Sequence, residues 1–407
     1  MRHKNGVRLA CLAFLLSLFP LNLKAGRLFK PPVTYPSGGD GATSIALADL
    51  DGDGNLDIVV ANYACDGCLT NGSVGILLGN GHGAFQAALV LDSGGSGTSG
   101  IAVADMNGDG YLDIIVANAC AAGTFCDGNS NTGSVAVLLG NGDGTFQPAK
   151  VYSSGNQISR YLALGDFNGD GKLDVVVADG CGGCGHQNFT VLLGDGHGGF
   201  QPPQTYGLGA EPIGITAGDV NGDGKLDLVI GLEGAAGQNG PTVVLFGNGD
   251  GTFPNSRTLF PAGAFPSLAD LNGDGKLDLL VAVACSNPTC SRGGAGVKLG
   301  NGNGTFRAMQ IYGSGGYITD FVATGDVDRD GKLDVLVANY SGPVGVLLGN
   351  GNGALGPVQL YNPGGGGPFS MAVGDVNNDG KLDVVVAISD LHNEPSGGVG
   401  VLLNSSF

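Results

Sequence analysis

Carboxylates recur in this chain at a spacing that suits a hard cation. A nine-residue phrase (Asp, apolar residue, Asp or Asn, spacer, Asp, Gly, variable residue, Leu, Asp) opens at Asp49 and returns at Asp105, Asp166, Asp219, Asp270, Asp326 and Asp375. Position 3 is Asp51, Asn107, Asn168, Asn221, Asn272, Asp328 or Asn377, and position 5 is Asp53, Asp109, Asp170, Asp223, Asp274, Asp330 or Asp379. Position 9 is Asp57, Asp113, Asp174, Asp227, Asp278, Asp334 or Asp383. Alternate residues of a tight loop turn their oxygens toward one point, and Ca²⁺ takes roughly 6–8 oxygens at about 2.3–2.6 Å. Position 7 varies among Asn55, Tyr111, Lys172, Lys225, Lys276, Lys332 and Lys381. A cationic lysine is no ligand through its side chain, so this position is read as offering its backbone carbonyl alone. Position 6 is always glycine, as a chain folding back around an ion requires. The expected cofactor is therefore Ca²⁺ at about seven sites. Mg²⁺ suits the loops less well, because it demands octahedral geometry and keeps its waters. The competing reading is seven Asp-Gly surface turns that bind nothing.

Composition points the same way. The chain has 33 Asp and 3 Glu among its 36 acids, and 23 of them stand in these loops. Short-armed acids suit coordination. Left unfilled, each loop gathers three or four mutually repelling charges.

Residues 1–25 read as a removable secretory signal: Arg2, Lys4 and Arg8 precede a mostly apolar run, and Leu23-Lys24-Ala25 resembles a cleavage site. A membrane anchor is disfavoured by Pro20 and Asn22, which interrupt that run. The formal charge of −18 becomes −22 without Arg2, Lys4, Arg8 and Lys24, and seven Ca²⁺ would return it to −8. No basic stripe offers itself to a polyanion, so nucleic acid is excluded as a partner.

Past Cys11, eight cysteines fall into the local pairs Cys65/Cys68, Cys120/Cys126, Cys181/Cys184 and Cys285/Cys290. Each pair begins seven or eight residues after the last aspartate of a phrase. Even number, close spacing and an export signal favour disulfide staples. Redox chemistry at the two C-x-x-C pairs, or zinc, is the weaker alternative.

The elements that position these loops repeat with them. A short apolar strand such as Ile45-Ala46-Leu47 precedes each loop, and a β-branched strand such as Ile58-Val59-Val60 or Val175-Val176-Val177 follows. A variable loop comes next, then a third strand such as Val135 to Leu139, a glycine turn, and a fourth strand. Four short strands per roughly 50 residues mark a propeller blade. The fold expected for 26–407 is one all-β, seven-bladed propeller of four-stranded antiparallel blades. The last repeat ends at its third strand, Val399 to Leu403, while Leu28 to Tyr35 reads like the fourth-strand segment Phe146 to Tyr152. The N-terminal strand is thus expected to complete the last blade and close the ring.

The acidic phrase and the Leu-Leu-Gly-Asn-Gly-x-Gly-x-Phe turn (Leu138 to Phe146) resemble FG-GAP and VCBS-type repeats, the family that includes the integrin α-chain propeller. The sixth turn departs from it, with Ala354-Leu355 where others carry Phe85, Phe146, Phe200, Phe253 or Phe306. The resemblance implies acidic loops on the lower face and a partner on the opposite one. Residues entering the innermost strands would then line the channel mouth, among them Arg160, Tyr161, Phe265, Asp320, Phe321 and Phe369. The upper loops would present Tyr63, Phe125, His186, Phe189, Tyr340 and His392. The bland alternative for both sets is packing and solvated decoration. The functional expectation is a secreted, monomeric, calcium-stabilised scaffold for binding or adhesion to a protein or glycan. The alternative is a polysaccharide lyase or glycoside hydrolase, although no catalytic constellation stands out and tryptophan, the usual sugar platform, is absent.

Overall fold

The computed structural model describes residues 27–63, 72–121, 133–155, 158–180, 187–234, 240–259, 263–284, 292–340, 342–391 and 397–406. Twenty-eight strands form seven sheets, each of four antiparallel strands, and no helix occurs among the described residues. Blade 1 runs outward through Ala42–Ala48, Asp57–Asn62, Ser73–Leu77 and Leu89–Asp92. Blades 2 to 6 repeat this order, with second strands Asp113–Ala121, Asp174–Asp179, Asp227–Leu232, Asp278–Val283 and Asp334–Asn339.

The β-branched second strands are buried along their whole length because each lies between two neighbouring blades. Ile58 and Val60 pack with Val385 and Val401 of blade 7, whereas Val59 and Ala61 pack with Ile114 and Val116 of blade 2. Alternation of side chains along a strand sends successive residues to opposite neighbours, so an uninterrupted apolar run is required rather than an amphipathic one. Each blade-to-blade junction has its own apolar cluster of this kind.

Blade 7 uses both chain ends, as the sequence leads one to expect. Its inner strands are Gly365–Gly374, Asp383–Leu391 and Gly398–Leu402, and its outermost strand is Val33–Pro36. Val33 pairs with Val401 and Tyr35 with Val399. Phe29 bridges Asn404, matching the bridge of Gly79 to Phe85 in blade 1. Leu355 makes the same bridge to Gly349 in blade 6, so leucine serves in the slot that phenylalanine fills elsewhere.

Candidate metal centre

Each acidic loop joins the innermost strand of a blade to its second strand, and its hydrogen bonds repeat around the ring. The position 1 carboxylate accepts the N–H groups of positions 5 and 6. In blade 1, Asp53 N lies 3.2 Å from Asp49 Oδ1 and Gly54 N 2.9 Å from Asp49 Oδ2. The position 3 oxygen accepts the N–H of position 5, as in Asp109 N to Asn107 Oδ1 at 2.8 Å. The position 5 carboxylate accepts the N–H of position 7, as in Lys225 N to Asp223 Oδ1 at 3.0 Å. These nested turns arrange the side-chain oxygens without help from the rest of the protein.

Position 4, treated in the sequence as a spacer, carries a backbone demand of its own. It is glycine in five loops, where φ is 72–78° and its N–H reaches position 1, for example Gly108 to Asp105 Oδ1 at 2.7 Å. Arg329 and Asn378 hold the same left-handed conformation at φ 63° and 56° despite their side chains. The recurrent glycine was visible in the sequence as the signal.

Position 9 is fully buried in all seven blades. Both of its carboxylate oxygens receive backbone N–H groups. Asp57 Oδ2 accepts Leu50 N at 2.9 Å and Oδ1 accepts Gly79 N at 2.7 Å. The same pair recurs at every blade, and in blade 7 the C-terminal Asn404 N takes the glycine's place, 2.6 Å from Asp383 Oδ1. The position 9 aspartate therefore ties its loop to the turn between the third and fourth strands. Burial, with the other loop acids adding repulsion, pushes the carboxyls of Asp57, Asp227, Asp334 and Asp383 up to about 6. It raises Asp113, Asp174 and Asp278 too.

Asp49, Asp51 and Asp57 each bring a carboxylate oxygen within 4.8 Å of the other two, and so do Asp326, Asp328 and Asp334. Two ligands of one Ca²⁺ can stand no farther apart than twice a Ca–O bond, roughly 4.6–5.2 Å, so these oxygens fit that ion. In the other five loops asparagine at position 3 replaces one of the three acids. The position 5 acids Asp53 and Asp330 lie outside these two clusters. Position 5 instead meets the position 7 side chain in five loops: Asn55 Nδ2 is 2.8 Å from Asp53, Lys332 Nζ is 2.7 Å from Asp330, and Lys172, Lys276 and Lys381 stand 3.7–3.9 Å from their own partners. The lysine stem also covers the glycine turn of its blade, since a Cβ added at Gly196 would meet Lys172 Cδ at 3.1 Å.

The loops also reach the neighbouring blade. Position 2 buries its side chain in the junction, Leu50 and Val220 being 3% exposed. Its carbonyl accepts an N–H from the glycine turn of the next blade: Gly144 to Leu50 at 3.2 Å, Gly251 to Phe167 at 2.9 Å, Gly304 to Val220 at 2.9 Å and Gly83 to Val376 at 3.3 Å. Where blade 7 has no such turn, the Asn404 side-chain amide donates to Val327 O at 2.7 Å.

Five or six residues before each loop, roughly 17–20 Å along the innermost strand, lie the residues expected at the channel mouth. A cavity of about 320 Å³ opens there, lined in part by Tyr161, Phe265, Phe321 and Phe369. Tyr161 and Phe265 meet edge-on at 5.5 Å, and so do Tyr340 and Phe369. Arg160 and Asp320 do not line the cavity but flank lining residues. Burial pushes Asp320 up to about 7. Of the upper-loop residues, Tyr340 is exposed and Tyr63 half-buried. Phe189 is no loop residue: it lies in the third strand of blade 3, fully buried against Tyr206 and Phe253, because it takes the inward register of that strand. Phe125, His186 and His392 lie outside the described residues, as do the signal segment 1–25 and seven of the eight paired cysteines. Cys120 is buried and disulfide-bonded.

Fold and loops together define a seven-bladed propeller with an acidic loop at the inner hairpin of every blade. The FG-GAP-like repeat profile matches residues 21–60, 67–116, 122–177, 166–230, 270–337 and 326–386, and the FG-GAP repeat profile matches 97–138. The chain belongs to the FG-GAP-like repeat family. It is 26% identical over 264 residues to cartilage acidic protein 1 of Xenopus tropicalis, a match that takes in 59% of this chain and only 38% of that relative's length. Among solved structures it is similar in fold to BBS1N in complex with ARL6DN, in crystals soaked with lead (TM-score 0.55) and with mercury (TM-score 0.56). Each is 12% identical, over 93% of this chain and 97% of that one.

Proposed function

We propose that this protein is a secreted, calcium-stabilised scaffold for binding or adhesion, engaging a protein or glycan through the face opposite its acidic loops. The observation that carries the reading is the attachment of every loop to its own blade through position 9 and, at five of the seven junctions, to the next blade through position 2. Positions 1, 3, 5 and 9 and the position 7 carbonyl are the proposed ligands at about seven sites. A bound Ca²⁺ would supply the positive charge that the clustered carboxylates lack, and the residues would in turn hold the blades in register. FG-GAP proteins are typically extracellular binding or adhesion proteins, which supports this role. No helix among the described residues is long and apolar enough to cross a membrane. The reading includes removal of residues 1–25, a single monomeric propeller over 26–407, and disulfides within the four local cysteine pairs.

Melting curves with excess calcium and with excess EDTA test the proposal. Extracellular-type sites with Kd on the order of 10⁻⁴–10⁻³ M each predict a sharp fall in melting temperature on chelation. Superimposable curves would sink it.

A further inference from the structure

The axial cavity has features that ring closure does not require. Each innermost strand except that of blade 3 carries a register shift near its entry, as between Ala42 and Ser44, Thr319 and Phe321, and Pro368 and Ser370. Such bulges re-aim side chains and gather at functional sites. Phe265 sits in one of them at φ 45°, a conformation in which a bulky residue is strained. Its ring reaches Tyr161, two blades away, across Gly214, where a Cβ would stand 2.7 Å from Phe265 Cα. The strain thus serves an aromatic collar at the mouth.

Hydroxyl-bearing residues join the wall at the level of the collar, as Ser44 and Ser370, and below it, as Thr216 and Ser267. These four residues are part of the lining, and among the described residues their hydroxyls make no hydrogen bond to the chain. Asp320, on the rim, has no hydrogen-bonding or ion-pair partner among the described residues, and burial alone raises its carboxyl to about 7. Burial holds the Tyr161 hydroxyl above its ordinary range, and the Asp320 charge, three blades away, adds to the rise. Arg160 acts on the same hydroxyl and leaves its buried Nε without a partner. Glu211 acts on that hydroxyl as well, so two carboxyls and one guanidinium bear on Tyr161, and charges of both signs meet at the rim.

A ligand for this place needs an apolar face for the rings, several hydroxyls for the serines, threonine and carboxyl, and little net charge. It must also fit about 320 Å³, the small end of the range for ligand pockets. A sugar ring has all of these properties. We propose that the mouth of the axial cavity is a carbohydrate pocket that receives one terminal pyranose residue of a glycan end-on, its C–H face against Phe321 or Phe369 and its hydroxyls on Asp320 and the wall. Phenylalanine and tyrosine provide the stacking surface that tryptophan usually supplies.

The proposal rests on the ligand face assigned above. Saturation-transfer NMR of the full calcium-loaded chain with methyl glycosides of glucose, galactose, mannose, N-acetylglucosamine and glucuronic acid tests it. At least one glycoside is expected to receive saturation at its ring C–H protons. Its affinity should fall tenfold or more in Asp320→Asn, a near-isosteric change, and in Phe369→Ala, with the melting temperature of Asp320→Asn unchanged. Silence from every glycoside, binding undiminished in both variants, or a lysine- or arginine-bearing peptide occupying the mouth instead would each overturn the pocket. Binding that survives both variants but is lost on changing Tyr63 overturns the pocket and leaves the assigned face standing. Binding indifferent to all three changes overturns both.

Discussion

Replacing Asp227 by asparagine isolates the part of the acidic loop that is structural. The Asp227 carboxylate is fully buried and accepts Val220 N–H at 3.1 Å and Gly247 N–H at 3.0 Å. Asparagine keeps the shape but has a single acceptor oxygen, so its amide N–H₂ must face one of the two donors. One charge-assisted bond is lost, worth about 1.5–3 kcal/mol, and one buried N–H is left unmatched at about 1–3 kcal/mol. Part of this is offset, because burial has already pushed the carboxyl up to about 6 and its charge is poorly solvated. A net loss of about 2–4 kcal/mol follows from these opposing effects. Scaling the per-residue unfolding entropy to a chain of this length gives roughly 1–1.5 °C per kcal/mol, hence a drop of about 2–6 °C in calcium-free buffer, where loss of a metal ligand plays no part. Calorimetry should be run beside Asp250→Asn, the same charge change on an exposed turn where the carboxylate bonds Thr252. That control should cost under about 1 kcal/mol. Equal melting points for Asp227→Asn and the unaltered protein, or an equally large loss in the control, would refute the double-bond argument.

Three further outcomes follow from the same geometry. Arg329→Gly relieves a left-handed residue at φ 63°, and thermal unfolding should show a gain of about 1 kcal/mol after the flexibility of glycine in the unfolded chain is subtracted. Asn404→Ala removes donors to Val327 O at 2.7 Å and Leu382 O at 2.9 Å, so urea titration should show a loss of about 2–3 kcal/mol, and a neutral result would dismiss its ring-closing role. Stability should also depend on pH with opposite signs in the two metal states. Without calcium, Asp57, Asp227, Asp334 and Asp383 bind protons more tightly folded than unfolded, so their contribution is complete below about 4 and lost as pH rises through about 6. In saturating calcium the ionised form is the ligand, and stability should instead fall as pH drops through that window; parallel melting curves in dialysed and calcium-loaded samples check the reversal.

The architecture was legible because its signals are local and repeated. The period of the acidic phrase, the β-branched run after it and the match of Leu28–Tyr35 to other fourth strands each lie within one stretch of chain. What escaped the sequence reading depends on neighbours in space. One of the two hydrogen bonds of position 9 reaches far along the chain, as from Asp57 to Gly79, and position 2 meets a different blade altogether. Asn404 looks like a tail residue until it is seen in the place of a missing turn. Phe189 was misread because the boundary between a variable loop and the third strand has no marker in its residues, whereas strand register decides its burial. Position 4 was legible in principle, five glycines among seven being a conformational signature.

Counting the ions tests the central claim most directly. Equilibrium dialysis of the full chain against about 20 mM calcium, well above the expected Kd, with the bound metal measured by atomic emission, should find close to seven Ca²⁺ per chain. A count of zero or one in folded protein would contradict the account.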